Sequence, residues 1–466
     1  MNSIIARDPV IKLNSVLYRL IGVIVAFLAC GSSLLSKFVP GSLRLLVVFA
    51  VVILLISVMF RLHIPTSNAR YLFLMLMMIL LMLIRGSWPF SEAMMFSTGI
   101  VLCAFSFRRG AWIETALDFM EFFYLIYAVA TIFMFFNADI YKAYANFAFP
   151  VYSASLIRTY SLGCMPGLAH HYSTNAMLIS VGIILACSRF FSTLQIGLNK
   201  KKKKAERYFQ LLLIGVFAIA LLMTGKRGHI VFVAAAILVI YYSSDINKGS
   251  KKRITKIFLF VSCLIIIMTI VFMMVPSLSV FLQRFETSVE RGDLGNGRSF
   301  LWNLAFSAFK NNPVFGIGWN QYSSTLSESL HMRREMNHVH NVYLQLLCET
   351  GVFGFVIFML WFIIIFVLTI RNYKKINYYY PPEYIQANYQ LKFSLGFQVF
   401  FLMYSLTGNP LYDEEMYIPY FICCAITLYY SRRMKDYLIE KRIEEESNRE
   451  KILFDDSDIE MPDWIK

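Results

Sequence analysis

His338-Val339-His340-Asn341-Val342-Tyr343-Leu344-Gln345-Leu346-Leu347-Cys348-Glu349-Thr350-Gly351-Val352-Phe353-Gly354 leads into an apolar run from Phe355 to Ile370. Two imidazoles stand directly before a helix of bilayer length. Titratable side chains at a membrane boundary are costly to place and usually have a task. Asn341, Gln345 and Glu349 recur every four residues and draw one polar stripe down an otherwise apolar helix. Gly351 and Gly354 interrupt the helix before its apolar part resumes.

The rest of the chain has the same character. It is 58% hydrophobic and only 16% charged, with a mean hydropathy of +0.58. Repeated apolar stretches of roughly 18 residues or more imply transmembrane helices. The net charge of +15 would suggest nucleic acid in a soluble protein. Here Lys200 to Lys204, and Lys248 with Lys251 to Arg253, read as membrane topology and contact with anionic lipid. No aromatic-interleaved nucleic-acid module accompanies them. Of eight cysteines only Cys164 falls in a loop, and none has metal or disulfide spacing. The first apolar run, from about 15 to 35, reads as a retained helix rather than a cleaved signal.

The expected architecture is all-α: a polytopic bundle of about twelve transmembrane helices with a large external loop containing short helices. Expected spans are 15–35, 43–60, 71–85, 92–107, 114–136, 174–193, 208–224, 229–243, 256–275, 341–370, 392–408 and 417–431. They make up a membrane domain over 1–430, followed by a charged cytoplasmic tail at 431–466 that is partly helical and then disordered. An even count puts both termini on one side. The short basic loops make that side cytoplasmic. The opposite side receives the loops at 137–173 and 276–340. Most of the histidines fall on or near this outer face. So do Arg158, Lys226, Arg227, Arg291, Arg298, Arg333 and Arg334, against the positive-inside tendency. Cations placed there suit an anion at the outer surface of the membrane.

Several constellations lie on that face. Arg298 through Lys310 has apolar residues at helical spacing, and Asn311-Asn312-Pro313 stops it. Pro313-Val314-Phe315-Gly316-Ile317-Gly318 then makes a tight turn. Arg298 suits either an anion ligand or an interfacial anchor. Thr224-Gly225-Lys226-Arg227-Gly228 turns between two spans with almost no loop and leaves two cations at the boundary, whether for an anion or for snorkelling. Arg158 to Gly163, followed by Asn175, forms a further element. The His338–His340 pair suits a general base, since an imidazole titrates near neutrality. A metal site there lacks a third ligand at recognisable spacing. Glu114, Asp118 and Glu121 share one face near Arg108-Arg109 and read as interfacial ion pairs.

H-x-H-N followed by E-x-G-x-x-G resembles the signature of the O-antigen ligase and polymerase family. These are integral membrane glycosyltransferases acting on polyprenyl-linked glycans. Arg158…Gly163, Arg227-Gly228, Arg298…Trp302…Gly316 and His338…Gly354 occur in the family's order, in a core at about 158–370. The chain departs from the pattern at Lys226, where the family usually has Ser or Thr, and at Thr174, where Pro is frequent.

The resemblance implies a glycan donor on undecaprenyl pyrophosphate. Arg227 and Arg298 would clamp the pyrophosphate, with Arg158 a weaker member. His338 or His340 would be the catalytic base. Asn341, Glu349, Gly316 and Gly318 would support the site. No cofactor, metal or nucleotide is implied. The implied partners are the lipid-linked donor, a glycan acceptor and the lipid bilayer, with other polysaccharide-assembly proteins as further candidates and no nucleic acid. The implied location is a bacterial cytoplasmic membrane, with the active site on its external face. A repeat-unit polymerase is preferred, because the large loop suits two saccharide chains. A ligase to lipid A core stays open. From another class, so does a polysaccharide transporter or flippase, for which intramembrane charges and an internal repeat would be expected.

Overall fold

The computed structural model describes residues 9–38, 66–83, 99–104, 110–195, 200–244, 298–325, 338–381 and 384–455. Among them there are helices and no strand. In chain order they are α1 (Pro9–Phe38), α2 (Thr66–Leu83), α3 (Ala111–Phe136), α4 (Ala138–Ala148), α5 (Ser153–Ser161), α6 (Tyr172–Gln195), α7 (Lys200–Met223), α8 (Arg227–Ser244), α9 (Arg298–Asn311), α10 (Val342–Tyr379), α11 (Tyr384–Tyr404) and α12 (Glu414–Asp455). The expected spans at 43–60 and 256–275, and most of the span at 92–107, lie outside the described residues. So do 276–297 and 326–337 of the large loop, with His331, Arg291, Arg333 and Arg334.

Five described helices, α3, α6, α7, α8 and α10, are long and apolar enough to cross a membrane. Their burial pattern fits that solvent. Along α3, Trp112, Ala116, Met120, Tyr124 and Tyr127 face the bundle, while Phe122, Ile126, Val129 and Phe133 are exposed. An exposed apolar ridge is costly in water and neutral in hydrocarbon. The expected span at 392–408 falls on α11, which is not among the five. It carries Asn388, Gln390, Lys392, Ser394 and Gln398, all buried. α11 sits at the centre of the bundle, packed on α6, α8, α10 and α12, so its polar groups face protein rather than lipid.

Small residues and polar bonds hold these helices together, as expected where lipid supplies no hydrophobic contrast. A Cβ on Gly22 would stand 2.5 Å from the Trp112 carbonyl oxygen, so glycine lets α1 and α3 touch. Thr369 and Thr427 share a hydroxyl contact of 2.7 Å, Asn372 Nδ2 donates to the Thr427 carbonyl, and Gln398 Nε2 donates to Thr369 Oγ1 at 2.8 Å. This ties α10, α11 and α12 through bonds worth about 0.6 kcal/mol each on average. Arg189 of α6 pairs with Asp118 and Glu121 of α3, and Glu114 accepts from Gln386. Asp118 and Glu121 are therefore ion-paired, but with an arginine on another helix, while Glu114 is held by a neutral amide. Arg108-Arg109 lie outside the described residues. α12 runs unbroken through residue 431 to Asp455, so the expected tail begins inside a helix.

The ends of α7 and α11 and the starts of α6, α8, α9 and α10 lie together at one end of the bundle, where Lys226 meets Tyr172, Arg298 is near His340 and Val342 donates to the Ser405 carbonyl, with Asp413 just before α12. The Arg189 cluster and the starts of α3 and α11 occupy the other.

Candidate active site

The H-x-H-N segment is fixed by three local devices. Asn341 is the N-cap of α10: its backbone is extended and its side chain accepts from the Leu344 amide at 3.1 Å. His340 holds the left-handed conformation, φ 53, which turns the chain sharply before the cap. Val339 is buried, and its carbonyl accepts from Trp302 Nε1 at 3.1 Å. Trp302 stands one turn beyond Arg298 on α9, so the bond that pins the imidazole segment also sets the position of that arginine.

The two glycine motifs are halves of one joint. Gly351 is non-helical (φ 64, ψ −171) and breaks α10. The break frees backbone groups, and the turn after α9 takes them. Ile317 and Gly318 amides donate to the carbonyls of Cys348 and Glu349 at 3.0 and 2.9 Å. Val352 and Phe353 amides donate to the carbonyls of Pro313 and Val314. A Cβ on Gly316 would lie 2.3 Å from the Glu349 carbonyl carbon, and one on Gly351 would lie 2.2 Å from the Val314 oxygen. Both positions have positive φ, so glycine is required on two counts.

Glu349 is buried inside this joint. Its Oε1 accepts from the Tyr322 amide at 3.3 Å and from Gln345 Nε2 at 3.2 Å, and its Oε2 accepts from the Tyr412 hydroxyl at 2.7 Å. Tyr412 stacks on Trp319 at 4.7 Å and lies 6.1 Å from the His338 ring. Glu349 thus holds the wall beside His338.

The other elements close around the same end. Lys226 lies over the Tyr172 ring at 4.6 Å. It is within electrostatic reach of His171, His340 and Asp413. Arg298 is within reach of His340, Tyr172 and Tyr404. Tyr404 in turn bonds Ser173 and faces Asp413. Burial, then the charges of Arg298, His338 and Lys226, push the His340 pKa down to about 4. Burial and Lys226 lower His171 to about 4 as well. The protein atoms packed around His338 lower its pKa as well, although the residue remains exposed to solvent. Burial and the neighbouring Glu415 raise Asp413 to about 8, against the opposing pull of Lys226. The result is a cationic nest at neutral pH whose histidines are neutral and whose aspartate is mostly protonated.

The structure therefore brings together His338, His340 and Arg298, and adds Lys226, His171, Tyr172, Tyr404 and Asp413. Arg227 is half-buried at the first position of α8, beside Lys226. Arg158 is exposed on α5, while the rest of its motif serves the fold. Asn175 is fully buried and donates to Thr131 Oγ1 and the Met165 carbonyl. Met165 in turn donates to the Met223 carbonyl, docking that loop on the corner that presents Lys226. Sequence reasoning passed over Asp413, Tyr404 and Tyr412. Tyr412 and Asp413 fall in the short polar connection before the last span, whereas Tyr404 is the last residue of α11, inside an expected span. No three His, Cys, Asp or Glu side chains among the described residues are grouped as a metal ion would need.

These features define a helical membrane protein with a cationic, imidazole-bearing site at one end of its bundle. Residues 211–359 match the family model described as O-antigen ligase. The match spans the Lys226-Arg227 corner, α9, the glycine joint and the H-x-H-N segment, and so supports the resemblance drawn from those motifs. The membrane helices and this match together suggest a bacterial membrane protein with ligase- or polymerase-type activity on lipid-linked glycans. No curated protein matches the chain.

Proposed function

We propose that the protein is a repeat-unit polymerase, transferring a glycan from undecaprenyl pyrophosphate to an acceptor sugar hydroxyl at the outer face of the cytoplasmic membrane. The observation that carries the reading is the convergence of Arg298 and Lys226 with two neutral imidazoles, inside the matched segment, at one end of a membrane bundle. Arg298 and Arg227, with Lys226 beside them, bind the pyrophosphate and stabilise the charge that grows on it. Arg158, exposed on α5, is the weakest member of this set. The N-terminus of α10 lies at the same end and adds the partial positive charge of its dipole, although its Val342 and Leu344 amides already donate to the Ser405 carbonyl and the Asn341 side chain.

The acceptor hydroxyl oxygen attacks the anomeric carbon. The bond from that carbon to the phosphate oxygen breaks, and its electron pair leaves with the pyrophosphate. The hydroxyl proton passes to an imidazole. In-line displacement sets base and leaving group on opposite sides of the reacting carbon. His340 lies among the cations, on the leaving-group side, so His338 is the better-placed base and His340 an anion neighbour. A lowered pKa keeps both imidazoles neutral, and it also makes each a weaker base. The dianionic donor offsets this by raising both values once bound. The protonated form of Asp413 avoids repelling the pyrophosphate. The donor is already activated, so the step as written uses no metal or nucleotide.

A ligase would use the same groups with lipid A core as acceptor. The deciding experiment incubates the purified, reconstituted protein with undecaprenyl-pyrophosphate-linked oligosaccharide. Longer lipid-linked glycans are expected. Transfer only when lipid A core is supplied would make it a ligase. Transbilayer movement of the donor without any new glycosidic bond would make it a transporter.

A further inference from the structure

The hairpin α4–α5 packs on the end of the bundle, and apart from Arg158 on α5 nothing in the proposed reaction uses its outer surface. α4 has three sectors. Tyr141, Ala145 and Ala148 are buried against the protein. Asp139, Lys142 and Asn146 form an exposed polar stripe, with Lys142 and Asp139 paired at 3.5 Å. Ile140, Ala143 and Phe147 form an exposed apolar stripe beside it, and Phe147 is 77% exposed. Val151 in the following turn is 83% exposed and Tyr152 is exposed next to it.

The apolar stripe follows an existing one. On α3 the lipid-facing ridge runs through Ile126, Val129, Phe133 and Phe136. Phe136 closes that ridge, and after the non-helical residue Asn137 the chain enters α4 directly, where Ile140, Ala143 and Phe147 are again exposed. A helix that leaves the lipid-facing end of a membrane span with an exposed apolar stripe beside an exposed polar one suits the boundary between hydrocarbon and water.

The hairpin is firmly joined to the site. Tyr144 OH donates to the Leu168 carbonyl at 2.8 Å, and Tyr160 OH donates to the Phe135 carbonyl at 3.0 Å. Its buried side packs on Met165 and Met223. Met223 lies three residues before Lys226, and the chain from Met165 continues through Leu168 to His171.

We infer that α4–α5 is an interfacial foot. It rests in the phospholipid headgroup layer on the site's side of the membrane, and it fixes the height of the Lys226–His171 wall above the hydrocarbon. A pyrophosphate whose polyprenyl chain stays in the bilayer can reach only a site at headgroup level, which gives the foot its use. The placement itself rests on the membrane reading and not on the proposed reaction.

The test places a nitroxide on Phe147→Cys, Ile140→Cys, Lys142→Cys and Asn146→Cys, in full-length protein reconstituted into phosphatidylcholine–phosphatidylglycerol vesicles. The described native cysteines are buried, and the unsubstituted protein serves as the labelling blank. Labels at 147 and 140 should collide readily with oxygen and poorly with a water-soluble nickel chelate. Labels at 142 and 146 should show the reverse. Equal nickel access at 146 and 147 would place the hairpin in water and overturn the inference. Shielding of 147 from both reagents would replace lipid with a protein partner, a second copy included. All four positions are exposed, so folding is not at issue, and glycan synthesis is not the readout.

Discussion

At the scale of single residues, charge and protonation carry the proposed chemistry. Arg298→Ala should lower turnover by about 10²–10³-fold if the guanidinium stabilises the leaving pyrophosphate, the usual cost of removing one such donor. Arg298→Lys should recover only part of it, because a point charge lacks the two-pronged fork. Steady-state kinetics on lipid-linked donor checks both, and wild-type rates in the alanine variant would remove the clamp.

The pH profile is a second residue-scale test. The ordinary histidine value is 6.5, and His340 and His338 are both held below it. The neutral, proton-accepting form therefore persists as pH falls through 6.5. The acid limb of kcat/KM, which reports the free enzyme, should lie below 6.5. The limb of kcat should lie higher, because bound pyrophosphate favours imidazolium. Asp413 ionises at about 8, so donor affinity should fall above that pH as a second anion enters the site. Asp413→Asn should move that alkaline limb upward. An acid limb of kcat/KM at or above 6.5 would contradict the electrostatics described here.

At the scale of elements, the glycine joint is the critical connection. Gly351→Ala must hold an L-residue at φ 64, ψ −171, a region essentially confined to glycine, at about 1–3 kcal/mol, and must also resolve a Cβ contact of 2.2 Å with backbone. The turn at 313–318 should then detach from α10, with loss of thermal stability and of turnover. Gly215→Ala is the control: nothing lies within 4 Å of its Cβ, and a helix interior gains about 0.5–1 kcal/mol from alanine. Equal melting temperatures for the two variants would refute the joint. Asn341→Ala should remove roughly 1 kcal/mol of cap and loosen the imidazole segment. Asn341→Asp should retain the cap, and comparing their turnover separates capping from chemistry.

The elements were legible to different degrees. Arg298 to Lys310 reads as a helix because its apolar spacing and its Asn-Asn-Pro stop are local. The start of α10 reads for the same reason, since a cap needs only the next three residues. That P-x-x-G-x-G and E-x-G-x-x-G form a single joint is not local. It depends on four backbone bonds between segments more than thirty residues apart. α11 is the opposite case. Its polar residues lower its hydropathy, and only its central position shows why they are tolerated.

At the scale of the whole molecule, the proposed orientation can be tested with cysteines introduced at exposed positions of the two ends. Ser161→Cys on α5 should react with an impermeant maleimide in intact cells. Ser447→Cys near the end of α12 should react only after permeabilisation. The reverse pattern would move the site to the cytoplasmic side, where an undecaprenyl-linked glycan awaiting polymerisation is not presented.

By itself the sequence determined a helical membrane protein and carried an ordered set of loop cations and an imidazole pair, because hydropathy, capping and breaker residues act within a few residues of chain. It also carried the family resemblance through Arg298, His338, His340 and the glycines. Tertiary structure alone decided which of these groups meet. It drew Lys226 into the site at the position where the motif departs from the family pattern. It added Asp413 from the last connection, Tyr404 from the end of α11 and His171 from the start of α6, and it made Glu349 the anchor of Tyr412. It also gave Asp118 and Glu121 of α3 to Arg189, some seventy residues away. The physical reason is that electrostatic shifts and buried hydrogen bonds depend on distance in space, and the packing of helix ends sets those distances.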